Sequence, residues 1–226
     1  MTSHPHLLKS YDDGLEALRR GFQHMGDMAA GNVTEATAAY LAGDEARALG
    51  AINRDLDIDA AFEQSRAACF DVLLRFQPVA RDLRLIMGIE HALGNLERAG
   101  DHAKTIARHV ISATDPAKPQ TDGCQIKDMA DLVAQTLSLS VTALVTQSTE
   151  LAKQVLASDA RIDAYRDAVF DSALVALKQS PGRAQAHVNR LFVATALERT
   201  GDHATNIAEE VLFVSRGVPP GATRTG

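Results

Sequence analysis

A chain of 226 residues, 46% of them hydrophobic, is long enough to bury a substantial core, as one domain or as two units of about 100 residues. A formal net charge of −6 argues against non-specific nucleic-acid binding, which needs a basic surface to neutralise phosphates. Two cysteines, Cys69 and Cys124, make no disulfide framework, and three Tyr, seven Phe and no Trp beside abundant Ala and Leu suit closely packed helices better than a β-sandwich or barrel.

The N-terminal MTSHPHLLKSYDDG has no apolar core of signal-peptide type, and no uninterrupted apolar run reaches membrane-spanning length. The expectation is a soluble, intracellular protein. From residue 7 to about 40, Leu8, Tyr11, Leu15, Leu18, Phe22, Met25 and Met28 recur at spacings of three and four, the apolar stripe of a long helix. LAGDEA then breaks the chain, with Gly43 placed to end one helix and Asp44 to cap the next. A second helix follows from Asp44 to Phe76, with Leu49, Ile52, Leu56, Phe62, Cys69 and Leu73 as its apolar positions. Pro78 separates it from a third, at 79 to 112.

The Pro-, Gly- and Asp-rich segment at 112 to 123, SATDPAKPQTDG, is the best linker in the chain. Beyond it the scheme repeats. A helix from 124 to 156 carries Met129, Leu132, Val133, Leu137, Val141, Leu144 and Leu151; another runs from 159 to 179, and a last from 183 to 215 after the break SPGR. The tail GVPPGATRTG reads as a frayed end. The chain is thus predicted to be all-α, two tandem antiparallel three-helix bundles related by internal duplication, at residues 1–113 and 122–216.

The duplication is clearest where LERAGDHAKTIA at 96–107 recurs as LERTGDHATNIA at 197–208, identical at nine of twelve positions. Helical spacing puts Glu97 above Asp101 on one face, and Glu198 above Asp202. Acids four apart repel, and on a face that meets another helix they need protons, cationic partners or a metal. The second helix of each half offers matching ladders, Asp55, Asp59 and Glu63, then Asp159, Asp163 and Asp167. Four carboxylates would converge in each half, an all-oxygen set suited to Mg, Mn or Fe and less typically to Zn. Solvent-facing acids paired with Arg98 and Arg199 are the alternative. Gly100 and Gly201, costly inside helices, point to close helix approach or access to an ion. His102 and His203 sit about 100° around the helix from the aspartates and are weaker ligand candidates. The basic RDLR segment, with Arg81 and Arg84, offers a docking surface or a solvated face; Arg183, His187 and Arg190 fill the comparable region of the second half. No Ser-His-Asp arrangement, phosphate-cradling glycine loop or CxxC is present, so catalysis has no specific support.

The two dodecamers, the doubled three-helix layout and RDLR together resemble the PhoU family of phosphate-transport regulatory proteins, over residues 8 to 215. The resemblance implies a symmetric six-helix protein, often homodimeric, that holds multinuclear metal clusters through Glu/Asp-x-x-x-Asp motifs. It also implies a cytoplasmic regulator, peripheral to membrane complexes, acting between the phosphate ABC transporter and a sensor histidine kinase to repress starvation signalling when phosphate is plentiful. Carried over, Glu97, Asp101, Glu198 and Asp202 match the motif acids, and Asp55, Asp59, Asp159 and Asp163 match those of the preceding helices. Asn206 matches the family's asparagine, whereas Thr105 departs from it, which predicts two clusters that are related but not equivalent. A carboxylate-bridged metalloenzyme and a metal-free helical scaffold remain as alternatives.

Overall fold

The computed structural model describes residues 4–111 and 123–216. The predicted linker at 112–123, except Gly123 at the start of the fourth helix, and the tail from 217 lie outside the described residues. Six long helices carry the fold: α1 (His4–Ala42), α2 (Glu45–Phe76), α3 (Ala80–Ile111), α4 (Gly123–Thr146), α5 (Thr149–Gln179) and α6 (Ala184–Arg216), with a 3-10 turn at Pro181–Arg183. The first three pack on one another and so do the last three, giving two tandem three-helix bundles with the same internal arrangement.

The turns show why the helices stop where they do. Gly43 takes the left-handed φ of 66°, and Asp44 caps α2 by accepting the Arg47 N–H at 3.0 Å. The second half repeats this turn 104 residues later. Gln147 takes φ 54°, and the Ser148 hydroxyl caps α5 by accepting the Leu151 N–H. The amides of Gly43 and Asp44 donate to the carbonyls of Tyr40 and Ala39, as those of Gln147 and Ser148 do to Leu144 and Ala143. This corrects the predicted helices at 124–156 and 159–179. The break falls at Gln147–Ser148, because a hydroxyl cap ends the run that Leu151 had seemed to continue.

Of the predicted stripe of α1, Leu15, Leu18, Phe22 and Met25 are buried, and Tyr11 and Met28 are partly buried against the same core. In α2 Cys69 is buried as predicted, and Ile52, Phe62 and Leu73 pack partly buried against the cores, but the face near the start of the helix is turned by one position. Ala48, Ala51, Asp55, Ile58, Cys69 and Val72 are buried, and Leu49 and Leu56 are exposed. Small alanines let α2 lie close against its neighbours, and that contact outweighs the larger leucines on the other side.

Each half packs on the other through α1 against α4 and α3 against α6. One core cluster joins Phe22 and Met25 to Leu93, Leu137, Val141 and Ile207; a second joins Val33 and Ile106 to Met129, Val133 and Leu197. Both cores therefore draw on both halves. Within α4, Cys124–Thr146 is long and apolar enough to cross a membrane by length and composition, but 56% of its most apolar stretch is buried inside the bundle, as befits a core helix.

Candidate functional site

The duplicated motif lies where α3 and α6 each cross the acid-bearing helix of their own half. Gly100 faces Asp55 and Ile58, and a Cβ built there would lie 3.2 Å from the Asp55 Oδ1. Gly201 faces Ile162, where a Cβ would come within 2.8 Å of Cδ1. The glycines thus serve close helix approach, which brings the acids of α2 and α3, and of α5 and α6, side by side.

In the first half Asp55 is 1% exposed, and the Lys104 ammonium donates to its Oδ2. That hydrogen bond is the main reason the Lys104 amine is held above its ordinary pKa. Lys104 also lies 3.8 Å from Asp101, whose other oxygen accepts from Arg98 at 3.2 Å; Arg98 reaches Glu97 at 3.5 Å. Burial, then the charge of Asp55, raises the Asp59 carboxyl. Burial, then Asp101, raises Glu97, with Arg98 opposing. The four predicted acids therefore stand close enough to repel one another, and two cations of the chain itself lie among them.

In the second half the cation comes from the other helix. Arg166, on α5, donates to Glu198 at 2.7 Å, lies 3.3 Å from Asp163 and donates to Asp167 at 2.9 Å. Partial burial, followed by the like charges of Glu198, Asp159 and Asp163, pushes the Asp202 carboxyl up to about 6, while Arg166 pulls it down. The residue still keeps much of its side chain in solvent. Lys104 and Arg166 were not singled out in the sequence. The signal was there, since each follows an acid of its ladder by three residues, Asp101 to Lys104 and Asp163 to Arg166, the spacing of neighbours on one helix face.

Between the two clusters α3 and α6 cross about a local two-fold. Its centre is the stacked pair His102 and His203, with ring centroids 5.5 Å apart. Burial lowers both imidazoles. His203 falls to about 4, with His102 and Arg98 adding to the effect of burial. The Asn95 Oδ1 accepts from Asn206 at 3.2 Å and lies 2.9 Å from the His203 Nδ1, so a neutral His203 carries its proton on Nδ1.

The other basic residues take separate places. Arg81 donates twice to Gln147 Oε1, at 2.9 and 2.6 Å, and Arg84 donates to the Val214 carbonyl at 3.2 Å, so both tie the start of α3 to the second half. Arg190, grouped by sequence with a basic face, is 2% exposed and donates to Gln125 at 3.0 Å and Ser172 at 2.9 Å.

The acids of both clusters do not fit a metal centre. Among the described residues no group of three or more His, Cys, Asp or Glu side chains is arranged to hold a metal ion. The expectation of Mg, Mn, Fe or Zn, singly or in multinuclear clusters, on Asp55, Asp59, Glu97, Asp101, Asp159, Asp163, Glu198 and Asp202 is corrected accordingly. The physical reason lies in Lys104 and Arg166. An ammonium on Asp55 and a guanidinium on Glu198 supply the positive charge that the spacing argument had assigned to a cation from solution. The expectation of two non-equivalent metal clusters, drawn from Thr105 against Asn206, falls with the metal; the two acid groups differ instead in where their cation comes from. Lys104 reaches across from α3 in one, and Arg166 from α5 in the other.

The PhoU domain model matches this chain twice, at residues 22–110 and 126–211. Relatives of similar length include the phosphate-specific transport system accessory protein PhoU homolog of Rhizobium meliloti (strain 1021), 31% identical over 98% of this chain and 94% of its own. The protein of the same description from Xylella fastidiosa (strain 9a5c) is 35% identical over 95% and 92%. The crystal structure of PhoU from Pseudomonas aeruginosa superposes with a TM-score of 0.86 at 27% identity, covering 92% of this chain and all (100%) of that one.

Proposed function

The chain belongs to the PhoU family, and from that premise we propose that it regulates phosphate uptake and phosphate-starvation signalling by binding partners rather than by turnover. The observation that carries this is the match of the family model to both halves, with the curated relatives aligned along nearly their whole length. The partners are the phosphate ABC transporter and a sensor histidine kinase, and the protein acts in the cytoplasm, peripheral to those membrane complexes. Signalling is repressed when phosphate is plentiful.

The turn between α2 and α3 is the contact surface we assign to these partners. Leu74 and Val79 are there 78% and 76% exposed, beside the exposed Arg81 and the half-buried Arg84. An apolar patch rimmed by arginine suits a protein partner. A face of α5 that exposes Phe170, Leu174 and Val175 supports a homodimer.

The experiment deletes the gene and follows a starvation-responsive reporter in phosphate-rich medium. The reporter is expected to rise, to be silenced by the parent chain, and to stay high with Leu74→Asp. Unchanged silence in the deletion strain refutes the regulatory role. Full repression by the Leu74 variant, with purified transporter and kinase domains still bound, refutes the assigned surface. Sedimentation of the purified chain reads the homodimer directly.

A further inference from the structure

The crossing of α3 and α6 forms a cleft on one side of the His102–His203 pair, with a volume of about 510 Å³. It is large enough for a small molecule. Arg98, Arg108 and Arg199 line it, with Phe192 as an apolar wall and Asp101 as the one carboxylate. Asp101 is already matched, by Arg98 at 3.2 Å and Lys104 at 3.8 Å. Arg108 and Arg199 are exposed, and among the described residues neither makes an ion pair. Two unmatched guanidinium groups therefore face one cleft in a chain whose net charge is −6.

The duplication supplies an internal control. Shifting each lining residue by 101 positions moves to the opposite side of the crossing. There Glu209 stands for Arg108, Asn206 for Thr105, Asn95 for Ala196 and His91 for Phe192. On that side Asn95 bonds to Asn206 and His203, and His91 turns to Glu210 at 3.5 Å. On the cleft side the matching pair is His109 stacked on Phe192, with ring centroids 5.3 Å apart. The same backbone frame thus carries a basic cleft on one side and a set of paired polar side chains on the other. Packing alone does not require that difference, because both sides use helices of the same motif.

We propose that this cleft is an anion site for a phosphate-class oxyanion, free or carried on a small organic molecule, held by the guanidinium groups of Arg108 and Arg199. Guanidinium forks donate paired N–H groups to tetrahedral oxyanions, and two of them match a charge near −2 better than a single carboxylate does. The Thr105 and Thr195 hydroxyls already donate to the carbonyls of Asp101 and Leu191, so the arginines supply the donors. A cleft much larger than one phosphate leaves the Phe192 ring, 54% exposed, as a surface for a flat organic group. The inference stands on these side chains and holds whether or not the regulatory role does.

The test titrates the full chain, in phosphate-free buffer at low salt, with inorganic phosphate, with adenosine monophosphate and with adenosine, followed by calorimetry and phosphorus NMR. Saturable binding of phosphate or the nucleotide, and none of adenosine, is expected. Arg108→Glu and Arg199→Gln should each weaken it about tenfold or more, and the distant Arg75→Gln should leave it unchanged. Arg108→Glu imports the residue found at the equivalent position, Glu209, and circular dichroism checks its helix content; if that content is lost, Arg199→Gln gives the reading. A nucleotide that binds more tightly than phosphate assigns the site to an organic phosphate; equal affinities assign it to the free anion. No saturable binding of either at millimolar concentration overturns the proposal. So does binding that survives both arginine changes, or adenosine bound as well as its phosphate.

Discussion

A carboxylate sealed from water must find a cation or a proton, and Asp55 finds Lys104. Removing the cation should therefore cost more than the loss of an ordinary surface pair. Lys104→Met is expected to destabilise the chain by about 3 kcal/mol at neutral pH, read from the shift in urea midpoint. Adding Asp55→Leu should restore most of that loss, because the stranded charge is then gone. If Lys104→Met alone leaves the midpoint in place, the Asp55 charge is not held as described. The pH dependence divides in two opposite directions. His203 has a folded pKa of about 4, below its ordinary value of 6.5, so its contribution is present above 6.5 and is lost as pH falls toward 4. Asp202 has a folded pKa of about 6, above 3.8, so its contribution is present below 3.8 and is lost as pH rises through 6. Between about pH 4 and 6 these two slopes oppose each other. Asp202→Asn should leave the histidine slope uncovered, so that the variant loses stability on acidification more steeply than the parent. Parallel pH profiles for the two proteins in chemical denaturation would contradict the assigned shifts.

At the scale of the helix, close approach is set by small residues. A Cβ at Gly26 would lie 2.5 and 2.9 Å from the two methyl groups of Val141, on the α1–α4 contact. Valine is branched at Cβ and has no long side chain to swing aside, so the helices themselves must part. Gly26→Ala should cost about 1–3 kcal/mol despite the gain in helix propensity, and Val141→Ala in the same chain should recover part of it. Urea unfolding of the single and double variants measures both. The same local chemistry decided how much of the fold the sequence disclosed. Gly43 and Asp44 announced the first turn because glycine and aspartate are the expected residues there. Gln147 and Ser148 make the same turn with a residue that bears a Cβ at positive φ, so no glycine marks the break as Gly43 does 104 positions earlier. The α2 register escaped for a related reason. Its first buried positions are two alanines and an acid, Ala48, Ala51 and Asp55, and counting large apolar residues points to Leu49 and Leu56 instead. The acid ladders were legible from spacing alone. What neutralises them was not, because spacing shows that a positive charge is needed and leaves its source, ion or side chain, undecided.

Across the whole molecule the duplication has produced two bundles that complete each other. Phe22, Leu93 and Val141 share one cluster, and Val33, Met129 and Leu197 share the other, so each half buries apolar surface against its sister. An isolated first half would leave the inner faces of α1 and α3 uncovered. Such a face is too large and too apolar to remain in water unmatched. The local two-fold at His102 and His203 relates α3 to α6, so a second copy of the first half offers nearly the face that the second half now supplies. Residues 1–116, expressed alone, are therefore expected to be either unfolded or dimeric, and never a folded monomer. Sedimentation equilibrium with circular dichroism decides the matter. A helical, cooperatively melting monomer would show that each bundle is self-sufficient and that the shared cores add little. A helical dimer would show that the contact between halves is a retained homodimer interface, now covalently joined, in which later changes such as Arg108 against Glu209 had freedom to make the two sides differ.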